Sequence, residues 1–427
     1  MPTSMRAVEL VRFGDADTAF ATRELPVPEP GPGQVLVRVL ATSVNPLDLQ
    51  TRRGDYRDQV ALPSVIGNDV SGVVVATGPG ADDFRPGDEV WYLAPVFAGQ
   101  GTYAEFHVVD QALAARKPAR LSHVEAAGLA LVGVTVWEAL VERAGVRVGE
   151  RVLVHGGAGG VGSAAVQLAR ALGAEVVTTA RARDHAFVTG LGADTAIDFS
   201  AGDHVPRVRA LGGVDVVLDT VGGDTLSRSP EVLADRGRVV SIVDTPEPQN
   251  LLAAWGVNAT YHFLFVSPGR AKLEALGRLV DRGELRPVIG AVLPLADVAR
   301  AHALLEGGSS GGRPRGKIAV AVHPEAPGGP ETAPGYALHC WPGLSPDGHA
   351  ASLAAAHGAM EDAPSGDMDE KVVAWTADRL HAAQRLVLDR GGRFLTVAAL
   401  TPAGEVAAYT ELVLADPDGT RAMQYDT

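Results

Sequence analysis

Arg151-Val-Leu-Val-His-Gly-Gly-Ala-Gly-Gly-Val-Gly-Ser-Ala-Ala-Val-Gln-Leu-Ala169 is the stretch that decides the fold. It opens as an apolar strand over Arg151 to His155, turns on glycines, and leaves as a helix from about Gly160. Gly157, Gly159 and Gly162 satisfy the spacing G-x-G-x-x-G. Alone, that match carries little weight in a chain with 50 glycines. Between a strand and a helix it has a mechanism. Glycines let a diphosphate approach the backbone, and a helix N-terminus offers unpaired N–H groups and partial positive charge. The following helix is apolar at Val161, Ala164, Ala165, Leu168, Ala169 and Leu172, the spacing of a face laid on a sheet.

Working outward, the alternation continues downstream. Glu175 to Ala180 reads as a strand with a helix from Asp184. Asp215 to Asp219 is a strand followed by a helix to Ala234, and Arg238 to Val243 is another strand. This βαβ rhythm predicts a doubly wound parallel sheet, with a helix over 123–144 before it and helices at Ala271 to Arg282 and Leu295 to Leu305 after it. Lys317 to Val322 reads as a closing strand. Upstream, residues 5–125 are β-rich. The runs Val35 to Leu40, Gly72 to Ala76 and Glu89 to Leu93 are parted by Pro- and Gly-containing breaks, which predicts a compact barrel-like unit. The chain of 427 residues accommodates roughly two to four domains. We read 1–125 as the first domain, completed by about 290–322, and 126–289 as the dinucleotide-binding domain. Residues 323–335 read as a Pro/Gly linker, and 336–427 as a separate appendage.

Composition narrows the partners. The net charge is −14, with −9 of it in residues 324–427. An acidic chain of this kind is a poor match for nucleic acid or an anionic membrane. The lone cysteine, Cys340, excludes intramolecular disulfides and fits a reducing, cytoplasmic compartment. The N-terminus lacks the apolar core of a signal peptide. The longest uncharged apolar stretch, Ala126 to Trp137, is too short to span a bilayer.

A site for an unphosphorylated ribose carries a carboxylate about 20 residues beyond the glycines. Here that point reads Thr179-Ala-Arg-Ala-Arg183, and the first carboxylate, Asp184, reads as a helix cap. Arg181 and Arg183 either pair with a 2′-phosphate or are solvated loop arginines; the first reading favours NADP(H) over NAD(H).

Residues 5–322 resemble the zinc-independent quinone oxidoreductase (zeta-crystallin-like) branch of the medium-chain dehydrogenase/reductase superfamily. The resemblance rests on Ser43-Val-Asn-Pro-Leu-Asp48, Arg53-Gly-Asp-Tyr56, Gly67-Asn-Asp-Val-Ser-Gly72, Pro86-Gly-Asp-Glu-Val90 and Gly133-Val-Thr-Val-Trp137. The glycine loop, Asp219-Thr-Val-Gly-Gly223 and Arg315-Gly-Lys-Ile318 complete it, all in family order. It implies an α/β architecture, a GroES-like β-barrel domain plus a Rossmann domain, with NADPH between them. It also implies a homodimer joined near Thr260 to Val266, and a small carbonyl or quinone substrate. Zinc-dependent relatives place Cys where Ser43 stands and His-Glu where Asn68-Asp69 stand, so no metal is expected.

Without a metal, charge developing on a substrate oxygen needs a donor. Asn45 and Tyr56 are the candidates, with Thr135 beside the nicotinamide. The rival readings are a turn residue for Asn45 and cofactor packing for Tyr56. By resemblance, Ala158, Gly159, Gly160 and Val161 contact the pyrophosphate. On the same ground Ser241, Ile242 and Val243 form the next cofactor-side strand end, and Phe263 and Phe265 lie near the carboxamide unless they are core or dimer contacts. Lys317 either helps hold phosphate or is simply exposed. The implied activity is reduction of a quinone or activated enone. A 2-enoyl thioester reductase and a non-catalytic NADPH-binding sensor or structural protein are the alternatives. Residues 336–427 resemble the front half of a GNAT-type acetyltransferase, on Tyr336 to Trp341, Met360 to Pro364, Tyr409 to Val413 and Gln424 to Thr427. The loop that would bind CoA pyrophosphate is missing from the resemblance, so a partial α+β appendage without acetyltransferase activity is expected.

Overall fold

The fold is described from a computed structural model, in which residues 2–307, 314–323, 337–361, 376–389, 393–401, 405–414 and 422–425 are described. The chain divides into two compact units, Met1–Glu325 and Ala326–Thr427. The expected linker falls, beyond His323, outside the described residues.

In the first unit, six parallel strands run in the order Thr195–Asp198, Glu175–Ala180, Arg151–Val154, Val214–Asp219, Leu233–Ser241 and Thr260–Phe263. Val152, Leu153 and Val154 are fully buried, as are Val216, Val217 and Leu218. Unbroken apolar runs of this kind suit a parallel sheet covered on both faces. Strand order reverses at Arg151–Val154, so the glycine loop leaves the sheet at its topological switch point, where doubly wound folds bind ligands.

A second sheet has the order Ile289–Pro294, Lys317–Ala321, Gln34–Val44, Asp69–Thr77, Glu89–Leu93 and Ala115–Arg116, and Phe106–Asp110 also pairs with Gln34–Val44. A three-stranded sheet of Phe20–Pro26, Ser4–Leu10 and Ser64–Val65 accompanies it. The chain therefore returns to the first lobe after building the parallel sheet, and brings Gly316 and Lys317 with it.

Several elements differ from the sequence reading. The strand Thr195–Asp198 and the helix Val205–Ala210 were not anticipated. The helix expected up to Ala234 is two short pieces, Asp224–Ser227 and Ser229–Glu231, and Leu233 already begins the next strand. Pro230 lacks the N–H that would continue a helix. The helix expected over 123–144 is α-helical over His123–Trp137 and widens into a π turn over Glu138–Arg143. Among the described residues it alone is long and apolar enough to cross a bilayer, yet most of it is buried inside the protein. Ser122 and Glu125 cap it reciprocally. Glu138, 3% exposed at its side chain, is paired with Arg143 and Lys272.

The second unit is an antiparallel sheet, in the order Ala337–Pro342, Arg393–Leu400, Val406–Leu414 and Ala422–Tyr425, with helices Asp347–Glu361 and Ala377–Asp389. Leu353, Ala354, Leu380, Ala398 and Leu400 form its core. The spacing suggests a helix over 371–390 with one face through Val373, Ala377, Leu380, Ala383 and Val387, of which Val373 lies outside the described residues. In the structure Ala383 is exposed and Gln384 is buried instead, accepting from the Ser345 N–H (2.9 Å) and hydroxyl (3.1 Å). Of the stretches compared with an acetyltransferase, Tyr336, 362–364, Asp426 and Thr427 lie outside the described residues.

Candidate active site

The glycine loop is built by local hydrogen bonds. Gly156 turns with φ +71°, a backbone state only glycine adopts without strain. Its N–H donates to Thr179 Oγ1 (3.0 Å), and the Gly157 N–H donates to the Thr179 carbonyl (3.0 Å). The Gly159 N–H closes on the Gly156 carbonyl (3.0 Å), and the Ser163 N–H on the Gly159 carbonyl (2.9 Å) starts the helix Gly160–Ala171. The N–H groups of Ala158, Val161 and Gly162 have no acceptor among the described residues, while the bridge to Gly316 turns the Gly160 N–H toward the Gly316 carbonyl. The glycines divide their roles. A Cβ on Gly162 would lie 2.1 Å from the Gly156 carbonyl oxygen, and one on Gly157 would lie 2.1 Å from Thr178 Oγ1. On Gly159 nothing comes closer than 3.4 Å. Two glycines thus allow tight packing and the third keeps the approach clear. Three free donors around a bare backbone fit a diphosphate.

At the ribose end, Arg181 and Arg183 are both exposed. Arg183 reaches Asp184 at 3.8 Å, whereas the Arg181 side chain has no partner among the described residues. Asp184 stands before the helix His185–Gly190 but makes no capping bond. Its carboxylate is held by Arg315 Nε at 2.6 Å, and Arg315 also donates to the Arg183 carbonyl (3.0 Å) and lies over the Phe187 ring. Arg315 escaped the sequence reading as a site residue, although it stands in the Arg315-Gly-Lys-Ile318 signature.

Gly316 pairs with Gly159 as an isolated bridge, its N–H donating to the Ala158 carbonyl (2.9 Å). The next residue, Lys317, runs its stem beside Gly160 and turns its ammonium the other way. That ammonium donates to the Val44 carbonyl (2.9 Å) and to Asn45 Oδ1, and lies 3.8 Å from Asp69. Lys317 is buried, so the structure places its charge in the pocket floor rather than on the phosphate loop. Burial lowers its pKa, and the Asp69 and Asp48 carboxylates oppose that shift.

The floor is a closed polar cluster. Asp69, completely buried, accepts from the Ser43 hydroxyl, from Asn45 Nδ2 (2.7 Å) and from the Leu131 N–H (2.6 Å). Asp48 accepts from the Asn45 N–H (2.7 Å) and from Asn68 Nδ2 (2.6 Å). Burial pushes the Asp48 carboxyl up to about 6, against the pull of the Asn45 N–H. The second hydrogen of Asn45 Nδ2 points to Asp48 (3.4 Å), so both ends of that amide are taken. Asn45 caps the helix Pro46–Arg53 and positions its neighbours; it has no free N–H for a substrate oxygen, contrary to the donor role expected of it.

The remaining candidates separate. Thr135, on the buried helix, donates its hydroxyl to the Leu131 carbonyl (2.8 Å) and retains only acceptor capacity. The Tyr56 hydroxyl has no partner among the described residues. Burial, then Asp55, raises its pKa, so it remains a donor at neutral pH. The Ser241 hydroxyl donates to Asp219 (2.9 Å), the Ile242 N–H meets the Asp219 carbonyl (3.2 Å), and Val243 is exposed. Phe263 packs with Tyr261 on the core face of the parallel sheet. Phe265 stands exposed, its ring 6.2 Å from that of Phe97, which lies 4.7 Å from Tyr56. So one phenylalanine is core and the other faces outward at the strand ends. Phe97 was not foreseen.

The floor does not fit a zinc ion. The Ser43 hydroxyl and the Asn68 amide already act as donors, while Asp69 accepts three hydrogen bonds and faces an ammonium. Among the described residues no group of three or more His, Cys, Asp or Glu could hold a metal.

A diphosphate cradle at the switch point of a parallel sheet, tied through Gly316 to a buried polar cluster in a barrel-like lobe, fits a nicotinamide-dependent oxidoreductase. The comparisons agree. Residues 31–119 match the alcohol dehydrogenase GroES-like domain, and 191–320 match the family described as zinc-binding dehydrogenase. The protein of Danio rerio named "NAD(P)H oxidoreductase RTN4IP1, mitochondrial" is 31% identical over 361 residues, covering 75% of this chain and 92% of its own. The quinone oxidoreductase of Homo sapiens is 30% identical over 308 residues, covering 70% and 93%. The solved quinone oxidoreductase from Coxiella burnetii superposes with a TM-score of 0.68 at 33% identity, covering 75% of this chain and 100% of that one. The chain belongs to the medium-chain dehydrogenase/reductase superfamily, and its sequence and site fit the zinc-independent branch.

Proposed function

We propose that the protein is an NADPH-dependent reductase that transfers hydride to a quinone or an activated enone, working as a cytoplasmic homodimer. The observation that carries the reading is the set of three unpaired N–H groups on Ala158, Val161 and Gly162 around the open face of Gly159. Coenzyme choice is supported by the ribose end. The carboxylate that would accept a ribose hydroxyl is neutralised by Arg315, and the Arg181 guanidinium is free to pair with a 2′-phosphate. The dimer reading is supported by the strand Thr260–Phe263 lying at the edge of its sheet, beside exposed Leu252 and Trp255.

Bound NADPH supplies the hydride. The chain's own residues then do three things. The loop and Arg181 hold the coenzyme, the buried helix fixes Thr135, and the Tyr56 hydroxyl donates to the substrate oxygen as negative charge grows there. The Ser43–Asn45–Asp69–Lys317 cluster holds the floor in one geometry through its mutual hydrogen bonds.

The test is loss of reduced-nicotinamide absorbance with NADPH against quinones, short acyclic enones and enoyl thioesters. Turnover of quinones or enones supports the reading, and turnover of enoyl thioesters alone transfers it to that class. NADPH binding without turnover of any acceptor replaces it with a sensor.

A further inference from the structure

Among the described residues, three other than glycine have positive φ: Phe97, Arg236 and Asn258. The last tolerates this state, and Arg236 sits with its side chain 85% exposed. Phe97, at φ +60°, is a bulky residue in the left-handed region, where a local cost must be offset by something its side chain does. The loop does not need phenylalanine in order to turn. It is pinned at its ends by the Ala94 N–H on the Asn68 carbonyl (2.7 Å) and the Gly101 N–H on the Val65 carbonyl (2.9 Å), and Gly99 supplies a φ of +77° two residues on.

The contacts of the ring say what is kept. It lies 4.7 Å from Tyr56 at 44° and 6.2 Å from Phe265 at 31°. None of the three rings belongs to a hydrophobic core cluster, and Phe265 is 55% exposed. They come from three elements that meet at the site. Tyr56 follows the helix capped by Asn45, Phe97 follows the strand whose Leu93 pairs with Asp69, and Phe265 follows the last parallel strand.

We propose that Phe97 is a specificity-determining residue of the acceptor site. With Tyr56 and Phe265 it forms an apolar aromatic wall that selects planar conjugated rings, the quinone class, over flexible acyl chains. This rests on the reductase reading above and names its substrate class. A conjugated ring gains from offset stacking on such a wall while its carbonyl reaches the free Tyr56 hydroxyl. An acyclic enone or an acyl thioester has no ring to stack.

The experiment uses the full chain, NADPH, and two acceptors: 1,4-naphthoquinone and an acyclic enone such as 3-penten-2-one. Phe97→Ala and Phe97→Leu are expected to raise KM for naphthoquinone roughly five- to tenfold, and to change KM for the enone by less than about twofold. NADPH affinity, read by fluorescence titration, stays the same. Phe97→Gly, which removes the ring and the backbone strain together, should melt no lower than Phe97→Ala while showing the same KM defect. Equal changes for both acceptors, or full recovery of the naphthoquinone KM in Phe97→Leu, would overturn the stacking role while leaving the reductase standing. A wild-type protein that binds NADPH but reduces neither acceptor would overturn the reductase reading itself, and the stacking role with it.

Discussion

The glycine loop and the pocket floor flank the Gly316-Lys317 step, and they use their polar groups in opposite ways. The loop leaves three backbone donors, on Ala158, Val161 and Gly162, unpaired beside open space. The floor leaves none of its central groups idle: Ser43, Asn45, Asn68, Asp48, Asp69 and Lys317 are bonded to one another or to nearby backbone. Unpaired polar groups in a rigid frame await a ligand, whereas a closed cluster fixes geometry. The difference teaches that residue type alone does not mark a binding group. Asn45 and Lys317 have the chemistry to touch a ligand, and the fold gives both to scaffolding.

The sharpest way to break this contrast is to remove the cation from the floor. Lys317→Met leaves Asp69, Asp48, Asn45 Oδ1 and the Val44 carbonyl without their buried partner. Urea unfolding should show a loss of about 3–5 kcal/mol, as when one member of a buried pair is deleted. A loss below about 1 kcal/mol would mean that the ammonium is not needed there.

Asp48 tests the same floor through pH. Its folded pKa, pushed up from 3.8 to about 6, means that the folded protein holds this proton more tightly than the unfolded chain. Its contribution to stability is therefore complete below about pH 4, and is lost as pH rises through 6. Carbon-13 NMR of the aspartate carboxyls should show one titrating near 6. If every aspartate titrates below about 4.5, the account of this group is wrong.

On the loop side, two glycines separate packing from binding. Gly162→Ala drives a methyl into the Gly156 carbonyl and should lower both the melting temperature and NADPH affinity. Gly159→Ala has room in the folded protein but fills the approach to the free N–H groups. It should leave the melting temperature within about 2 °C and still weaken NADPH roughly a hundredfold, about 2.7 kcal/mol. Calorimetry with both variants distinguishes the two roles.

The smallest effect is expected at the ribose end. Arg181→Ala should weaken NADPH about tenfold and NADH less than twofold. Arg315→Ala, by releasing Asp184, should move the preference toward NADH. Equal losses for both coenzymes would remove the 2′-phosphate assignment.

What could be read from the sequence follows from the range of the interactions. The glycine loop is legible because strand, turn and helix occupy 19 consecutive residues with their own periodicity. The Asn45 cap has its partner Asp48 only three residues on, yet Asn45 reads in the sequence as a substrate donor or a turn residue, because no apolar periodicity marks the helix Pro46–Arg53 it caps. Arg315 lies 131 residues from Asp184, and Lys317 lies 272 from Asn45, so no local pattern announces either pair. Phe97 is hidden differently. Nothing in its residue type signals a left-handed backbone, and only the folded loop shows it. The helix expected up to Ala234 stops short because Pro230 has no N–H to continue the ladder, and the next strand has begun by Leu233.

The central claim is tested most directly by a crystal structure of the protein with NADPH. The diphosphate oxygens should lie about 3 Å from the backbone nitrogens of Ala158, Val161 and Gly162, with the 2′-phosphate against Arg181. A coenzyme whose diphosphate lies away from these three nitrogens would contradict that placement.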